Sequence, residues 1–512
     1  MKDVPESESN LGFTVGDNSS DSFMFVLNPD AEVKKWEYVY INSGKDRIIG
    51  RVERIVSRSE LLNTGLDFES VSKYVTSEIG DNNIICYTRT LGTLNGDGLN
   101  LTRELIKPGT EVYRAETGLL EGIFGYGEQE SLHIGYLADR SDVRVAVNVN
   151  GLRRHLAIVA QTGAGKSHTA GVLMEELLKK GATIIVLDPH ADYVLMQRGS
   201  EDKEFADSVK VFRTPLSTGR YSPSSFFAED FSLRFQDMET EDVSGIMGIK
   251  ESWTNLNRIV DEMMKQMSGR KDLDDFIKSA DKLQQEDQRK IAGRLRFLSK
   301  IKSIFGERTT GIGEYLAPGQ MSILDLSGMD QFLANYFSFR VLNEIYEIKA
   351  TSDYKYPVFV FIEEAHNFVP PKQNTQISAM IKKIASEGRK FGIFLVVITQ
   401  RPGKIDQDVL SQCNSEIILR ITNPLDQNAV LESGESISQA VIDDLPSLNV
   451  GEAVLVGEFV KLPVVTKIRE RKTREGGGDV DLVSLLREAR EDRRKKTDPA
   501  EDNKRIRNLL GD

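Results

Sequence analysis

The stretch His155–Lys180, HLAIVAQTGAGKSHTAGVLMEELLKK, decides the predicted fold. Its apolar start is typical of a buried strand, GAG marks a tight turn, and helical periodicity begins at about Lys166. A strand, a glycine-rich turn and a helix in that order form the context of a P-loop, whose backbone N–H groups wrap the phosphates of a nucleotide. The stretch therefore predicts an α/β fold built around a P-loop.

The loop supplies most of the predicted nucleotide-binding residues. Lys166 is expected to reach the β- and γ-phosphates of ATP, and the Ser167 hydroxyl is expected to bind Mg²⁺. The pattern GxxxxGK[ST] begins with glycine, whereas this chain has Ala160. If that position required a positive φ, alanine would cost about 1–2 kcal/mol. The predicted ATP-binding residues of the loop are Thr162, Gly163, Ala164, Gly165, Lys166, Ser167 and His168.

A second stretch, Val358–Phe368 (VFVFIEEAHNF), places two neighbouring carboxylates at the end of an apolar run. Consecutive side chains of a strand point to opposite faces, so Glu363 and Glu364 are expected to have different roles. We assign Glu363 to Mg²⁺, through water, and Glu364 to activating or orienting the water that attacks the γ-phosphate. The alternative is an acid pair that only caps the following helix.

Two further residues lie close to the ends of predicted elements. Gln400 ends the next apolar run, where a polar side chain can hydrogen-bond the γ-phosphate or the attacking water. Arg389 lies just before Gly392, at the end of a predicted helix. Either Arg389 complements the helix dipole, with glycine as the cap, or it projects into a neighbour's ATP site as an arginine finger. The sequence leaves both interpretations open.

Composition limits the classes of protein to consider. The chain has 512 residues and a net charge of −12, so any nucleic-acid binding must use a local basic patch. Cys86 and Cys413 are far apart, which argues against a zinc site and suits a reducing, cytoplasmic location. No apolar run approaches the about 20 residues that a membrane span needs, and the N-terminus has no apolar signal segment. No membrane association is expected.

Changes in composition and in the pattern of apolar residues along the sequence predict four segments. Residues 1–21 are polar and acidic, which predicts a disordered tail. Short apolar runs between turn signals over residues 22–136 predict a small all-β barrel. Over 137–468, continuous apolar runs alternate with helical segments, which predicts a RecA-like ATPase core with a helical insertion at about 227–305. The charge-dense residues 469–512 are expected to form a tail or an exchanged arm.

One predicted helix of the insertion is strongly basic. Residues 289–302, RKIAGRLRFLSKIK, contain six basic residues and no acid. One face of this helix is apolar and carries Ile291, Leu295, Leu298 and Ile301. Either the helix packs by that face and its rim is solvated, or the basic side meets phosphates or another subunit.

Six segments together resemble the HerA family. They are RHLAIVAQTGAGKSHT, VLDPHADY, VFVFIEEAHNFVP, SEGRKFGIFLVVITQRP, LSQCNSEIILRI and LNVGEAVLVGEFVKLPVVTKI, in the family's order. Members of this family are hexameric DNA-translocating ATPases of the HerA/FtsK superfamily, and archaeal members partner the NurA nuclease in DNA end resection. The preceding β region is similar to the family's N-terminal barrel.

The resemblance implies further site residues. Arg389 matches the family's trans-acting arginine, and Arg154 matches a second arginine near the nucleotide. Lys467 and Ile468 match a segment beside the bound nucleotide. The motif DPHADY has a counterpart in the family, but no role follows from it for Asp188 or His190.

The chain departs from the family pattern at three positions. Ala160 and Ala191 replace glycines, and Glu363 stands where many members have aspartate. None of these departures removes a catalytic group.

The resemblance also implies partners. It predicts a homohexameric ring that moves double-stranded DNA through a central pore and works with a NurA-like nuclease in DNA end resection and double-strand break repair. The alternative is a ring ATPase that is the scaffold or regulator of an effector protein in antiviral defence. The charged C-terminal segment and the additional barrel motivate that alternative.

Overall fold

Two β-sheets organise the part of the chain that the structure describes. A computed structural model describes residues 10–59, 62, 64–76, 83–96, 98–198, 205–218, 227–267, 272–434, 437, 439–476 and 482–495. Within these ranges, no helix is both long enough and apolar enough to cross a membrane.

The first sheet is entirely antiparallel and consists of β1 (Asn10–Val15), β2 (Ser22–Leu27), β3 (Tyr38–Ser43), β4 (Asp46–Arg58), β5 (Asn83–Asn95), β6 (Gly98–Asn100) and β7 (Glu111–Arg114). Six strands close into a barrel in the order β2-β1-β7-β3-β4-β5, because β5 pairs back to β2. The strand β6 pairs with β5. Two helices accompany the barrel, α1 (Phe68–Thr76) and α2 (Thr117–Phe124). The predicted N-terminal barrel is confirmed.

The second sheet has twelve strands. They are β8 (Ser131–Leu137), β9 (Arg140–Asn148), β10 (Leu156–Val159), β11 (Thr183–Asp188), β12 (Val209–Arg213), β13 (Ala228–Asp230), β14 (Met321–Asp325), β15 (Val358–Ile362), β16 (Ile393–Thr399), β17 (Ser415–Leu419), β18 (Glu452–Gly457) and β19 (Val464–Ile468). Their order is β13-β12-β14-β11-β15-β16-β10-β17-β18-β19-β8-β9. The strands from β13 to β17 are parallel, and the rest pair antiparallel.

After the barrel, the chain contains further helices, several of which cover this sheet or form the insertion. They are α3 (Lys166–Lys179), α4 (Thr240–Ile246), α5 (Thr254–Gln266), α6 (Leu273–Ser279), α7 (Gln285–Lys300), α8 (Ile312–Tyr315), α9 (Gln331–Ala350), α10 (Gln376–Phe391), α11 (Gln407–Leu410), α12 (Pro424–Ser433), α13 (Gln439–Asp444) and α14 (Leu482–Lys495). The α/β P-loop core predicted from the sequence is confirmed. The basic helix of the insertion is α7, which ends two residues before the predicted Lys302.

The central strands are buried on both faces, as the continuous apolar runs predicted. In β10, Ala157 and Val159 pack into one hydrophobic core with the insertion and α10, whereas Leu156 and Ile158 pack into a second core with α3. Because the strands are parallel, the carboxyl ends of β10, β11, β15 and β16 lie at one edge of the sheet. We call this edge, with the residues that follow these four strands, the P-loop edge.

The predicted tail over residues 1–21 is wrong from residue 10 onward. The strand β1 begins at Asn10, pairs with β2 and β7, and buries Leu11. The strand contains few apolar residues, so the polar residues around it determined the composition on which the prediction of a tail rested. Pairing with a strand on each side stabilises β1, and that pairing is not visible in the composition. Residues 1–9 lie outside the described ranges.

The boundary between the barrel and the ATPase core, predicted at residue 136, lies earlier in the structure, before β8. The strand β8 does not continue the barrel but pairs with β19, so it belongs to the second sheet. Pairing between residues more than 300 positions apart leaves no local signal in the sequence.

The segment that follows β19 is not a tail at its start. Glu175 on α3 is fully buried and accepts hydrogen bonds from the backbone N–H groups of Lys472 and Thr473, at 2.8 and 2.7 Å. Arg469 forms ion pairs with Glu175 and Glu176. The prediction of a tail is therefore wrong for residues 469–475, because this segment packs on α3 and its backbone donates hydrogen bonds to the buried Glu175 carboxylate. Residues 477–481 and 496–512 lie outside the described ranges.

Candidate functional site

The P-loop connects β10 to α3 as predicted. Gly163 has φ 76° and Gly165 has φ 101°, a backbone region that favours glycine. Ala160 is buried and does not have a positive φ, so alanine carries no left-handed cost at that position. Ala191, the other replaced glycine, does adopt φ 59°. The cost of a left-handed alanine therefore falls on the 188–193 loop and not on the P-loop.

Lys166 joins the two glutamates directly. Its ammonium donates hydrogen bonds to Glu363 Oε1 and to Glu364 Oε1, the latter at 3.0 Å, and all three residues are buried. The expectation that the glutamates point to opposite faces is wrong, because β15 ends at Ile362 and Glu364 has φ 48° and ψ 48°. This left-handed residue returns the second carboxylate to the side of the first. Such strain in a non-glycine residue is typical of functional sites.

The remaining oxygens of the two carboxylates have different surroundings. Glu363 Oε2 accepts a hydrogen bond from the Tyr193 hydroxyl at 2.5 Å. Glu364 Oε2 is buried and faces His366, whose Nδ1 lies 3.2 Å away. The two acids therefore share a lysine but differ in their second partner.

These surroundings set the protonation of the pair. Burial raises the pKa of Glu363, and the charge of Lys166 opposes that rise. Burial also disfavours the ionised form of Glu364, but contacts with His366 and Lys166 outweigh it and lower the pKa of Glu364 to about 2. For Lys166, burial alone would lower the pKa, whereas both glutamates together raise it. At neutral pH, Glu364 is a carboxylate and Lys166 is an ammonium.

A loop after β11 completes the group. Ser167 Oγ donates to Asp192 Oδ2 at 3.0 Å. Asp188, fully buried at the end of β11, accepts hydrogen bonds from the backbone N–H groups of His190, Asp192 and Tyr193 at 3.3, 3.0 and 2.9 Å. The sequence alone predicted no role for Asp188 in the motif DPHADY. The structure makes Asp188 the residue that orders the loop, so that Asp192 and Tyr193 reach Ser167 and Glu363.

Gln400 lies against the P-loop. Thr162 Oγ1 donates to Gln400 Oε1 at 2.6 Å, which joins the end of β16 to the turn that follows β10. The predicted polar residue is therefore within reach of the same edge as Lys166 and Glu364.

The segment with Lys467 and Ile468 reaches the P-loop through one glycine. Gly451 N donates to Ala164 O at 3.1 Å, and Ile468 N donates to Gly451 O at 2.9 Å. Lys467 Nζ donates to Val450 O at 2.9 Å. Gly451 therefore links the end of β19 to the P-loop by one hydrogen bond to each.

His168 faces the segment after β19 and not the glutamates. Its Nε2 lies 2.9 Å from Arg469 O, and its Nδ1 lies 3.6 Å from Glu475 Oε2. The contact with Glu475 raises the pKa of His168. The side chain therefore fixes α3 to residues 469–475, and only its backbone belongs to the start of the P-loop helix.

Arg389 and Arg154 lie at the opposite edge of the sheet from Lys166. Arg389 is exposed on the last turn of α10, directly before β16, whose seven residues span about 20 Å before the P-loop edge is reached. Arg154 precedes β10 and forms an ion pair with Glu458 at 2.7 Å. The structure does not bring either arginine to Lys166 of the same chain. We call this edge, with Arg154, His155 and Arg389, the arginine edge.

His155, for which the sequence predicted no role, links three elements of the arginine edge: the residue before β10, the end of α10 and the start of β16. It is buried with φ 60°, its Nδ1 accepts a hydrogen bond from Leu395 N at 2.9 Å, and its Nε2 donates to Ala385 O at 3.0 Å. Burial lowers its pKa to about 4, so the ring is neutral. Ala385 lies one helical turn before Arg389, so His155 ties the start of the P-loop strand to the turn that carries this arginine.

The residues at the P-loop edge fit Mg²⁺ and a nucleotide. No cluster of three or more histidine, cysteine, aspartate or glutamate side chains able to hold a metal occurs within the described ranges. Mg²⁺ is usually held by one or two protein oxygens together with phosphates and waters, and Ser167, Asp192 and Glu363 offer such oxygens. Glu364 Oε2 is buried beside His366, and a carboxylate oxygen has lone pairs enough to accept a hydrogen bond from a water as well.

Sequence comparison agrees with this geometry. The chain matches the family model "Helicase HerA, central domain" over residues 132–345 and the model "HAS barrel domain" over residues 11–114. It is 31% identical to a protein of Methanocaldococcus jannaschii described as a probable helicase, across 96% of this chain and 97% of the relative. The chain belongs to the HerA helicase family.

Other HerA relatives are similarly close in sequence. The "DNA double-strand break repair helicase HerA" of Pyrococcus furiosus is 29% identical, across 92% of this chain and 94% of the relative. The protein of the same description from Sulfurisphaera tokodaii is 28% identical, across 94% and 97%. As a HerA-family member, the chain is an ATP-hydrolysing enzyme of the helicase and translocase class.

Solved structures with similar folds are more distant. VirB4 of Thermoanaerobacter pseudethanolicus has 16% identity and a TM-score of 0.47, across 67% of this chain and 98% of that chain. The plasmid coupling protein TrwB, solved with ADP and Mg²⁺, has 13% identity and a TM-score of 0.49, across 70% and 93%.

Proposed function

We propose that this HerA-family chain is an ATP-driven translocase and helicase that forms a homohexameric ring around double-stranded DNA. The observation that carries the ATPase part is the contact of Lys166 with Glu363 and Glu364, because it unites a phosphate-binding lysine with two acids at the end of an adjacent strand. The descriptions of the relatives from Pyrococcus furiosus and Sulfurisphaera tokodaii as DNA double-strand break repair helicases support the DNA part.

The P-loop edge has a separate task for each side chain. Lys166 moves its ammonium from the glutamates to the β- and γ-phosphates of ATP, while the backbone from Thr162 to Gly165 wraps them. Ser167 and Glu363 are the residues that would hold Mg²⁺, whose charge offsets the charge of the phosphates. Asp192 keeps the Ser167 hydroxyl in place, and Tyr193 holds the Glu363 carboxylate.

Glu364 orients the attacking water and accepts its proton. Its pKa of about 2 is maintained partly by Lys166, and a carboxylate with so low a pKa is a weak base. When Lys166 turns to the phosphates, Glu364 loses that cation and becomes more basic. The shared lysine therefore couples the strength of the base to nucleotide binding, and Gln400 lies where it can hydrogen-bond the same water.

The arginine edge supports a ring. Arg389 and Arg154 lie on the side of the sheet away from their own Lys166, so their location supports contact with a nucleotide held by another copy. We propose that Arg389 is the arginine finger and that Arg154 contacts the same neighbouring nucleotide. Lys467 and Ile468 contact the nucleotide of their own chain from the late strand, close to Gly451.

We further propose a NurA-like nuclease as partner in DNA end resection, with the barrel as the docking element. The alternative, a scaffold or regulator of an effector in antiviral defence, has no support from the relatives' descriptions.

Two measurements test the proposed function. The rate of ATP hydrolysis is expected to rise when duplex DNA is added, and duplex binding is expected to weaken steeply with salt. Native mass determination with and without ATP is expected to give six copies. Absence of both stimulation and salt-sensitive binding would refute translocation, and a monomer under all conditions would refute the ring.

A further inference from the structure

The basic helix α7 has a row of cations that the ATPase site does not use. Arg289, Gly293, Arg296 and Lys300 are spaced by four, three and four residues, so they share one helix face, and all four are exposed. We call this face the α7 stripe. Along the helix axis its cations lie about 10 Å and about 6 Å apart.

The cations of the α7 stripe have no acidic partner among the residues that the structure describes. Neighbouring acids are already engaged, since Asp287 pairs with Arg258 at 2.6 Å and Asp274 pairs with Lys302 at 2.7 Å. The side chains of the stripe have no ion pair or hydrogen bond to any residue that the structure describes. From Gln288 to Gly306 the sequence contains no acid, in a chain whose net charge is −12. A local cationic surface of this kind is unusual on an acidic protein.

The opposite face of α7 is fixed in the insertion. Ile291 and Leu298 are fully buried in the same core as the sheet. Arg294 Nη1 donates to Met247 O at 3.0 Å, and its guanidinium lies 5.8 Å from the centre of the Phe332 ring. The stripe is therefore carried by a rigid helix and not by a loop.

A short route connects α7 to the catalytic glutamates. Phe332 lies on the first turn of α9, next to Gln331. Gln331 Nε2 donates to Asn367 O at 3.1 Å, and Asn367 N donates to Glu364 O at 2.8 Å. A cation–aromatic contact and two hydrogen bonds therefore connect α7, through α9, to the backbone of Glu364.

We propose that the α7 stripe binds the phosphate backbone of double-stranded DNA and that this contact stimulates ATP hydrolysis through Gln331 and Asn367. This rests on the proposed DNA-translocating function. Phosphate contacts from arginine and lysine give affinity without reading sequence, which a translocase requires. The stripe carries no apolar residue, so it lacks the buried anchor typical of a stable protein interface. Gly293 leaves the backbone open where an added Cβ would meet nothing within 4 Å.

The test compares two triple variants with the same change in charge. Arg289→Ala, Arg296→Ala and Lys300→Ala together remove the stripe, while Lys45→Ala, Arg487→Ala and Arg490→Ala remove three exposed cations elsewhere. For the stripe variant, the slope of log affinity against log salt is expected to become less steep by about 3, and duplex affinity is expected to fall about tenfold. ATP hydrolysis without DNA is expected to stay unchanged, and the control variant is expected to bind like the parent.

The outcomes separate this proposal from the function on which it rests. If the parent binds duplex DNA and the stripe variant has the same slope and affinity, the α7 contact is refuted while translocation stands. If the parent neither binds DNA nor is stimulated by it, both are refuted. If the stripe variant retains DNA binding and instead loses an acidic protein partner, the surface is a protein interface and the DNA contact is wrong.

A second variant tests the route to Glu364. Gln331→Ala is expected to bind duplex DNA like the parent while the stimulation of ATP hydrolysis by DNA falls at least threefold. Full stimulation in this variant would refute the route through Asn367.

Discussion

The two edges of the parallel sheet differ in how complete they are. At the P-loop edge, buried side chains contact one another: Lys166 with both glutamates, Ser167 with Asp192, and Tyr193 with Glu363. At the arginine edge, Arg389 is exposed and Arg154 is half exposed on an ion pair. The polar side chains of the P-loop edge are therefore joined within one chain, whereas the arginines of the other edge are exposed. This difference is what the proposed ring requires: each chain would hold the phosphate-binding part of its own site and would supply arginines to the site of a neighbour.

The largest expected effect is at the P-loop edge. Lys166→Ala removes the ammonium that is proposed to bind the phosphates, so nucleotide binding and ATP hydrolysis should both fall to background. It also leaves two buried carboxylates without their shared cation, so its melting temperature must be measured. Lys166→Arg, which keeps the charge but not the size, is the matched control. If Lys166→Ala is folded and still hydrolyses ATP, the role proposed for Lys166 in binding the nucleotide is wrong.

At the arginine edge, Arg389→Ala should lower turnover by about 10³ while nucleotide binding is retained. If, as proposed, Arg389 acts on the nucleotide of another copy, rings mixed from Arg389→Ala and Glu364→Gln subunits should recover activity at interfaces where an intact Arg389 meets an intact Glu364. Lys390→Ala, the neighbouring cation on the same turn, is the control. No recovery in mixed rings would show that the arginine does not act across an interface.

Glu364→Gln should leave ATP bound while turnover falls by at least about 10². Glutamine has the same shape and keeps the contact with Lys166 but cannot accept the proton of a water. Glu363→Gln should instead raise the concentration of Mg²⁺ needed for half-maximal activity, since Glu363 is the proposed metal residue. Equal effects of the two substitutions on Mg²⁺ dependence would contradict the division of roles.

Local motifs predicted the P-loop edge well because its parts are continuous in sequence. The strand, turn and helix around Lys166 and the acids after β15 each lie within a few residues, and the parallel sheet brings them together. Asp192 and Tyr193 could not be assigned, since their partners Ser167 and Glu363 come from other elements. The left-handed Glu364 was missed because a strand was extrapolated one residue beyond its end at Ile362.

The arginine edge was predictable only in part. Arg389 stood out by its place at a helix end, but His155 gave no signal, because a buried histidine with two backbone partners looks like any core residue in sequence. Similarly, nothing local showed that residues 469–475 would pack on the buried Glu175.

His155 allows a finer test of the arginine edge. His155→Ala should lower turnover about tenfold by loosening the turn that carries Arg389, with little change in nucleotide affinity. His155→Asn should recover part of the activity, because its amide can both accept and donate and asparagine tolerates a positive φ. When either substitution at His155 is combined with Arg389→Ala, turnover should fall no further than it does in Arg389→Ala alone. Additive losses would mean that His155 supports the fold and does not position the arginine.

The smallest effect is a dependence of stability on pH from the same histidine. Its pKa in the fold is about 4, against about 6.5 when unfolded, so the unfolded chain binds more protons between these values. The free energy of unfolding should therefore fall as pH decreases from 6.5 to 4, by about 3 kcal/mol from this group. Comparing the parent with His155→Asn by chemical denaturation at each pH isolates this contribution, because the other titrating groups are common to both. A constant difference between the two proteins across this range would mean that the ring is protonated in the fold, in which case it could not accept the hydrogen bond from Leu395.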